Sequence, residues 1–184
     1  MKTMILSLVA LCVIACTKDD DGVTMKPDRL AGTYWKQTQV VHYEYKDGKL
    51  TDTFRKNFDG SMSGGAGPTV LAFADDNTLV EYHVMGPTGL LPDTYYKSRK
   101  FDYTPGSKLF VVYDPDREAN RKTLETFTSD RIVWNSSIET TKDGVTYRTK
   151  TREIYHRYRP TDEWRRQAAQ CPDYDRIDWS AVNK

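Results

Sequence analysis

The chain has 184 residues, with 27 Lys and Arg against 26 Asp and Glu, which gives a formal net charge of +1. This length suits one domain that is large enough to bury a core, and the near-neutral balance, without a basic stripe, gives no support for a nucleic-acid partner. The 12 Tyr, 4 Trp and 6 Phe residues favour β-strands, because aromatic side chains fit a pleated, half-buried surface.

The first fifteen residues predict a secretory signal peptide. Lys2 provides a positive start, and residues 4–15 form an apolar run that is interrupted by Ser7. A charged start, a short apolar run and a small residue before the cleavage point define such a signal. The run is too short to cross ~30 Å of hydrocarbon as a helix. We therefore expect residues 1–15 to direct export and to be removed, which leaves 169 of the 184 residues.

The segment 13–16, VIAC, resembles the lipobox of bacterial lipoproteins, in which the Cys becomes the acylated mature N-terminus. The resemblance implies that Cys16 carries a triacyl group, with palmitate among its chains, and so anchors the protein to a membrane. Stable anchoring takes more than one acyl chain, a requirement that a triacyl group meets. Two alternatives stay open: an ordinary cleaved signal in which Cys16 is incidental, and an uncleaved anchor.

The segment 18–21, KDDD, resembles the Lys/Asp-rich export signal of surface lipoproteins in the Bacteroidetes. The resemblance implies a surface-exposed lipoprotein of the outer membrane, with the periplasmic leaflet of that membrane as the alternative. A run of charges is also typical of a solvated spacer, and the two roles are compatible. Residues 16–26 are accordingly predicted to be the acylated Cys and a flexible tether.

Cysteine usage limits the disulfides that the exported chain can form. Of the 3 Cys residues, Cys16 and Cys171 remain after removal of the signal. If Cys16 is acylated, Cys171 has no internal partner and is either a free thiol or one half of an intermolecular bridge. A semi-buried free thiol is the favoured interpretation.

The rest of the chain predicts short strands separated by turns. Residues 27–32 suit one helical turn that ends at Gly32. Recurrent strand patterns with turn chemistry between them are typical of an all-β sandwich or barrel, and Asp47-Gly48 and Asp143-Gly144 predict tight hairpins, because both positions of a primed turn need positive φ. The predicted strands are 33–46, 49–58, 69–74, 78–85, 95–103, 108–113, 122–128, 131–140 and 145–158.

These elements predict an all-β fold: an antiparallel up-and-down β-barrel of about eight to ten strands with a C-terminal helix. The barrel is assigned to residues 27–159. Pro160 ends the last strand, and Thr161 is placed to cap a helix over 162–170, so that residues 160–184 form a helix and tail packed on the barrel. An eight-stranded barrel either holds one small ligand or is filled by its own side chains.

Four segments resemble the lipocalin-like domain found in many surface lipoproteins of the Bacteroidetes, and together they extend over residues 27–158. They are 30–35 (LAGTYW), 71–79 (LAFADDNTL), 122–134 and 144–158. The resemblance implies a lipocalin-like barrel that opens with a short helical turn. It implies no ligand residues, because this family lines its pockets differently in each member.

The lipocalin resemblance also implies a structural pairing at the base of the barrel, where a Trp of the first strand packs against an Arg of the last. The spacing between Gly32 and Trp35 is one residue longer than the spacing between the corresponding Gly and Trp of the family pattern. Either Tyr34 fills the base, or a local bulge brings Trp35 there. Arg157 or Arg159 is then expected to stack on that ring through a cation–π interaction.

The sequence contains no recognisable catalytic or metal motif. His42, His83 and His156 lie far apart in predicted strands and lack metal-ligand spacing. The carboxylates of residues 114–118 lack the further ligands and central Gly of a calcium loop. We therefore predict a protein that is not an enzyme and has no metal or cofactor; a hydrolase, with His83 facing a carboxylate, is the remaining enzymatic alternative.

The leading functional hypothesis is a barrel that binds a small apolar or amphipathic molecule, or a glycan fragment, at its open end. Loops 59–68 and 86–92 are predicted to frame the mouth. The alternative is a filled barrel that acts as an interaction module for an unknown protein partner. The predicted lining consists of aromatic and apolar residues on one phase of each strand: Tyr43, Tyr45, Val80, Tyr82, Tyr95, Phe101, Tyr103 and Trp134. In the first strand this phase also contains Trp35 and Val41.

Overall fold

The structure, a computed structural model, describes residues 22–58, 67–74, 76–85, 89–90, 96–113, 119–162 and 165–166. Two 3₁₀ turns occur in these ranges, at Pro27–Arg29 and Pro105–Ser107. The strands are β1 (Thr33–Lys46), β2 (Lys49–Asn57), β3 (Thr69–Phe73), β4 (Thr78–Met85), β5 (Gly89–Leu90), β6 (Tyr96–Thr104), β7 (Leu109–Tyr113), β8 (Asn120–Phe127), β9 (Arg131–Lys142) and β10 (Val145–Arg157).

Eight of these strands close into an antiparallel barrel. They pair in the order β1-β3-β4-β6-β7-β8-β9-β10, and β10 pairs again with β1. The prediction of an all-β antiparallel barrel is therefore confirmed. The two-residue strand β5 pairs with the end of β4, where the sequence predicted a loop because of its Gly and Pro residues.

The two ends of the barrel differ in how the strands are connected. At the closed end, β3–β4, β6–β7 and β8–β9 are joined by short turns, and residues 22–30 insert here with Val23, Met25 and Leu30 buried in the core. At the opposite end, which we call the mouth, lie the longer connections from β2 to β3, β4 to β6 and β7 to β8. Most of their residues, including much of the predicted loops 59–68 and 86–92, lie outside the described ranges.

Gly32 shapes the entry of the chain into the barrel. Its φ is +69°, in the left-handed region that glycine adopts without a steric penalty. Its N–H donates to the Phe73 carbonyl at 2.8 Å, and the Thr33 N–H donates to the Leu30 carbonyl at 3.0 Å. The predicted helical turn before Gly32 is the 3₁₀ turn at Pro27–Arg29.

Aromatic side chains fill the inside of the barrel toward the closed end. Phe110 is fully buried at their centre, with its ring centroid 5.0 Å from that of Phe101 and 5.2 Å from that of Trp134. Phe127 joins this packing through Tyr103, at 4.7 Å between centroids. Edge-to-face and offset contacts of this kind add roughly 0.5–1.5 kcal/mol per pair to the burial of the rings. The closed half of the barrel is thus packed by the protein's own side chains.

A β-bulge at Thr38 reverses the faces of β1. The register between β1 and β10 shifts between Gln37 and Gln39. Before the bulge, Trp35 and Gln37 lie on the inner wall; after it, the inner face is taken by Val40, which is opposite Glu153. The prediction that Trp35, Val41, Tyr43 and Tyr45 share one face is therefore wrong, because an inserted residue moves every later side chain to the other side of the strand.

Beyond the mouth, four strands continue as a single layer of sheet. We call this layer the extension; it comprises β2 and residues 39–46 of β1, 135–142 of β9 and 145–152 of β10. Nearly every β2 side chain is exposed, as are most of those in the outer half of β9. Its hairpin turns have positive φ at Asp47-Gly48 and at Asp143-Gly144, so both predicted hairpins are confirmed.

The predicted C-terminal helix lies largely outside the described residues. Of the stretch 162–170, the structure describes Asp162, Arg165 and Arg166. The Arg165 N–H donates to the Thr161 carbonyl at 3.0 Å, which is the bond of a first helical turn. In the described part of the chain, no helix is long and apolar enough to cross a membrane.

Candidate functional site

A buried carboxylate organises a polar cluster on the inner wall of the barrel, between the aromatic core and the mouth. One oxygen of Glu153 accepts from Lys122 Nζ at 2.6 Å and from Trp134 Nε1 at 2.9 Å. The other oxygen accepts from the Tyr155 hydroxyl at 2.9 Å and from Gln37 Nε2 at 3.2 Å. We call these five residues the inner polar cluster.

Strand register places these side chains together. Glu153 lies opposite Trp134, and Tyr155 lies opposite Gln37 on the neighbouring strand. Lys122 lies opposite Phe110, and its ammonium group stands 4.7 Å from the Trp134 ring centroid. On these strands, the inner wall thus changes from aromatic to charged within two residues toward the mouth.

A second ion pair occupies the inner face of two other strands. Glu81 on β4 and Arg99 on β6 approach to 3.7 Å between Oε2 and Nη1. The exposed fractions of the four charged side chains are 14% for Glu81, 12% for Arg99, 15% for Glu153 and 8% for Lys122. Both pairs are therefore largely buried, with a small part of each side chain accessible to solvent, and their formal charges cancel.

The surroundings of Glu153 keep it ionised. Burial alone would raise its pKa, but the charge of Lys122 and the hydrogen bonds from Lys122, Tyr155 and Trp134 outweigh burial, so that the pKa lies below its usual value. Burial, together with the charges of Glu153 and Glu81, raises the pKa of Tyr155 well above its usual value. The cluster therefore pairs a carboxylate with a phenol that stays a hydrogen-bond donor.

Sequence patterns signal this cluster weakly. Gln37 interrupts the apolar phase of the first strand, and this polar residue is 5% exposed on the inner wall. Glu153 and Lys122 look like ordinary solvent-facing residues of alternating strands. Their inward orientation depends on the register of β8, β9 and β10, which local patterns do not specify.

Of the eight residues predicted to line a ligand site, the seven that the structure describes do not share one surface. Tyr95 lies outside the described residues. Val80 and Tyr82 are buried on the outer face of β4, because Leu79 and Glu81 take its inner face. The others divide between the inner aromatic core, with Phe101, Tyr103 and Trp134, and the outer face of the extension, with Tyr43 and Tyr45.

The base of the barrel is occupied by Trp35. Its side chain is fully buried, and its Nε1 donates to the Thr33 hydroxyl at 2.8 Å, while Tyr34 lies on the outer face of the strand. The guanidinium carbon of Arg157 lies 5.1 Å from the centroid of the Trp35 ring. Burial, with a contribution from the charge of Arg159, lowers the pKa of Arg157. The bulge at Thr38 follows Trp35 and is not what turns it inward.

No group of three or more His, Cys, Asp or Glu residues that could hold a metal ion occurs in the described ranges. His42 faces Thr151, with Nδ1 3.0 Å from its hydroxyl oxygen, and stacks on Phe54. His156 is exposed. For His83 the structure describes the backbone, on β4. Residues 114–118, Cys16 and Cys171 lie outside the described ranges.

Comparison with known proteins adds no family. No family model matches the chain, and no curated protein matches it. Among solved structures, apocrustacyanin C1 is similar with a TM-score of 0.41 and 14% identity, over 85% of this chain and 78% of that chain. Apocrustacyanin C2 is similar with a TM-score of 0.39, 14% identity and the same coverage.

Proposed function

We propose that this protein is a lipid-anchored β-barrel that binds a small amphipathic molecule through its mouth. The observation that carries the proposal is the presence of two ion pairs on the inner wall, whose four charged side chains are largely buried, with 8–15% of each still accessible. Specific small-molecule sites combine apolar walls with a few placed polar groups. Because the four charges cancel, a neutral or zwitterionic polar group fits better than a singly charged one.

A fluorescent lysophosphatidylcholine, which is a zwitterionic amphiphile, tests this proposal with the full chain. We expect saturable binding to the wild type and loss of at least tenfold in affinity in the double variant Lys122→Met/Glu153→Leu, which removes both charges together. The same fluorophore on a fatty acid reports whether a single negative charge is disfavoured. Equal affinity of the wild type and the double variant would contradict a role for the inner polar cluster.

The proposed anchor orients the barrel. The chain joins the closed end at Gly22, whose carbonyl accepts from the Phe127 N–H at 2.6 Å. Gly22 follows Cys16 by six positions, a stretch of chain that spans at most about 20 Å. An acylated Cys16 therefore holds the closed end toward the membrane, and the mouth and the extension point away from it.

Replacement of Cys16 by serine tests the anchor. We expect the wild type in the membrane fraction, with an added acyl mass, and the Cys16→Ser variant without that mass and outside the membrane fraction. Cys171→Ser is the matched control, because it removes the other thiol that remains after signal cleavage and should leave both properties unchanged. A membrane-bound Cys16→Ser variant would point instead to an uncleaved anchor.

A filled barrel that acts as an interaction module is the second candidate. This candidate is favoured because Glu153 already has hydrogen-bond partners within the protein. The four hydrogen bonds that its carboxylate accepts all come from side chains of the inner polar cluster. Absence of amphiphile binding to the wild type would support this candidate. The extension would then be the surface to test for partners.

A further inference from the structure

The outer face of the extension brings tyrosines and basic side chains together. Tyr43 and Tyr45 lie on this face of β1. Lys150 lies directly opposite Tyr43 on β10, and Arg148 lies opposite Tyr45. On the other side, Arg55 of β2 is opposite Val41. Directly opposite residues of an antiparallel pair project to the same face, so Lys150 and Arg148 lie beside the tyrosines on the β10 side. On the β2 side, Thr53 and Leu50 are opposite the tyrosines, and Arg55 is a diagonal neighbour of Tyr43.

The basic residues of β10 form a ladder along the strand. Arg148, Lys150 and Arg152 occupy alternate positions, which places them on one face about 7 Å apart. Arg152 is neutralised by Glu125, with Nη2 to Oε1 at 2.5 Å and Nε to Oε2 at 2.7 Å. Lys150 forms no salt bridge with any described residue. The unneutralised part of the ladder is thus the part nearest the tyrosines.

Positive charge exceeds negative charge on this face. Glu139 lies opposite Arg148, but no described acidic residue forms a salt bridge with Arg55 or Lys150. The Arg148 guanidinium carbon lies 4.5 Å from the Tyr45 ring centroid, a distance typical of cation–π stacking. A guanidinium held in this way keeps a planar fork of N–H donors that matches a carboxylate.

The tyrosines and basic residues on the outer face of the extension do not form part of the barrel core. The extension lies beyond the barrel wall as one layer, and Leu50, which is opposite Tyr45 on the same face, is 55% exposed. A sheet normally buries its apolar face against a second layer. Here Leu50 is open to solvent, whereas Val41, at the end of the face nearest the barrel, is 1% exposed. The open part of the face runs along the strands, which suits an extended chain better than a compact group.

We propose that the outer face of the extension binds an acidic polysaccharide, independently of the site inside the barrel. The tyrosine rings offer flat surfaces for sugar rings, and Arg55, Arg148 and Lys150 offer partners for the sugar carboxylates. Charge complementarity selects an anionic polymer. Of the anionic polymers, we favour a polysaccharide because a guanidinium fork matches a carboxylate; binding of a nucleic acid is an outcome of the test below.

Affinity electrophoresis of the full chain in gels that contain polygalacturonate tests the proposal. We expect retardation of the wild type by polygalacturonate but not by neutral dextran. The double variant Arg148→Gln/Lys150→Gln should lose at least tenfold in affinity. The matched control is Lys46→Gln/Lys49→Gln, which removes two charges from the opposite face of the same sheet, where these lysines are paired. It should bind as the wild type does.

Three results would overturn the proposal. The first is an unretarded wild type, and the second is equal weakening by the two double variants, which would indicate a response to net charge alone. The third is equally tight binding of a single-stranded oligonucleotide, which would indicate a general polyanion surface. The four substitutions are at exposed positions, and matching unfolding curves of the two variants establish that any difference in binding is not a difference in folding.

Discussion

The Glu153→Leu variant is expected to lose about 3–5 kcal/mol of unfolding free energy, because it leaves a buried cation without its counter-charge. In the wild type, Lys122 Nζ lies 2.6 Å from the Glu153 carboxylate, and the Lys122 side chain is 8% exposed. In the variant, its ammonium group would remain beside the Trp134 ring without that carboxylate. The Tyr155 hydroxyl and Trp134 Nε1 would also lose their acceptor. Urea unfolding followed by circular dichroism measures this loss.

A double-mutant cycle separates the ion pair from simple packing. Lys122→Met alone should also be strongly destabilising, since it strands the buried carboxylate. The double variant Lys122→Met/Glu153→Leu should lose clearly less than the sum of the two single losses, because residues in direct contact couple by roughly 0.5–3 kcal/mol. Additive losses would show that the two charges do not stabilise each other.

A more exposed ion pair serves as the comparison for this cycle. Arg152 and Glu125 form a close two-point contact, but their side chains are 24% and 45% exposed. Exposed pairs contribute roughly 0–1 kcal/mol. Glu125→Gln should therefore cost far less than Glu153→Leu, and a similar cost would argue against special importance of the inner polar cluster.

The Phe110→Ala variant is expected to lose about 3–5 kcal/mol, the usual cost of removing a fully buried phenylalanine. Phe110 is 0% exposed and contacts the rings of Phe101, Trp134, Tyr103, Phe73 and Phe127. Its removal would leave a cavity that rings from several strands cannot jointly fill. Thermal and urea unfolding of the full chain report the effect.

Ile138→Ala is the control for Phe110→Ala. Ile138 lies on the extension and is 73% exposed, so its truncation should change stability by no more than about 0.5 kcal/mol. A loss below about 1 kcal/mol for Phe110→Ala would contradict a closed half packed by its own side chains. A large loss for Ile138→Ala would indicate that something covers the extension in solution.

Short-range sequence patterns predicted several strands and turns of the barrel correctly. Strands β1 and β4 have the predicted bounds, and the two Asp-Gly turns adopt the positive φ values that their residues favour. These features depend on a few neighbouring residues. Alternation, turn residues and glycine are therefore sufficient to locate them.

Which face of a strand points inward could not be predicted from the sequence. In β4, Val80 and Tyr82 form the apolar phase, yet they face outward and are still buried, while Leu79 and Glu81 face inward. Both phases of this strand are covered, so hydrophobicity does not distinguish them. In β1, the bulge at Thr38 reverses the phase after the first five residues without any glycine to signal it.

The extension follows from a difference in strand length. β1, β9 and β10 have 14, 12 and 13 residues, whereas β3 and β7 have five each. The short strands set the height of the barrel wall, and the surplus of the long strands continues beyond it. The predicted strands show the same contrast, so unequal strand length is the sequence signal that indicates a projecting layer.

In the proposed function, the inner polar cluster holds the polar group of a small amphipathic molecule. Native mass spectrometry tests this role most directly, with the full chain extracted in mild detergent from membranes of the source cell. A retained small molecule in the wild type that is absent from the double variant Lys122→Met/Glu153→Leu is the predicted result. A wild type without any bound molecule, or one whose molecule the double variant retains equally, would contradict this role.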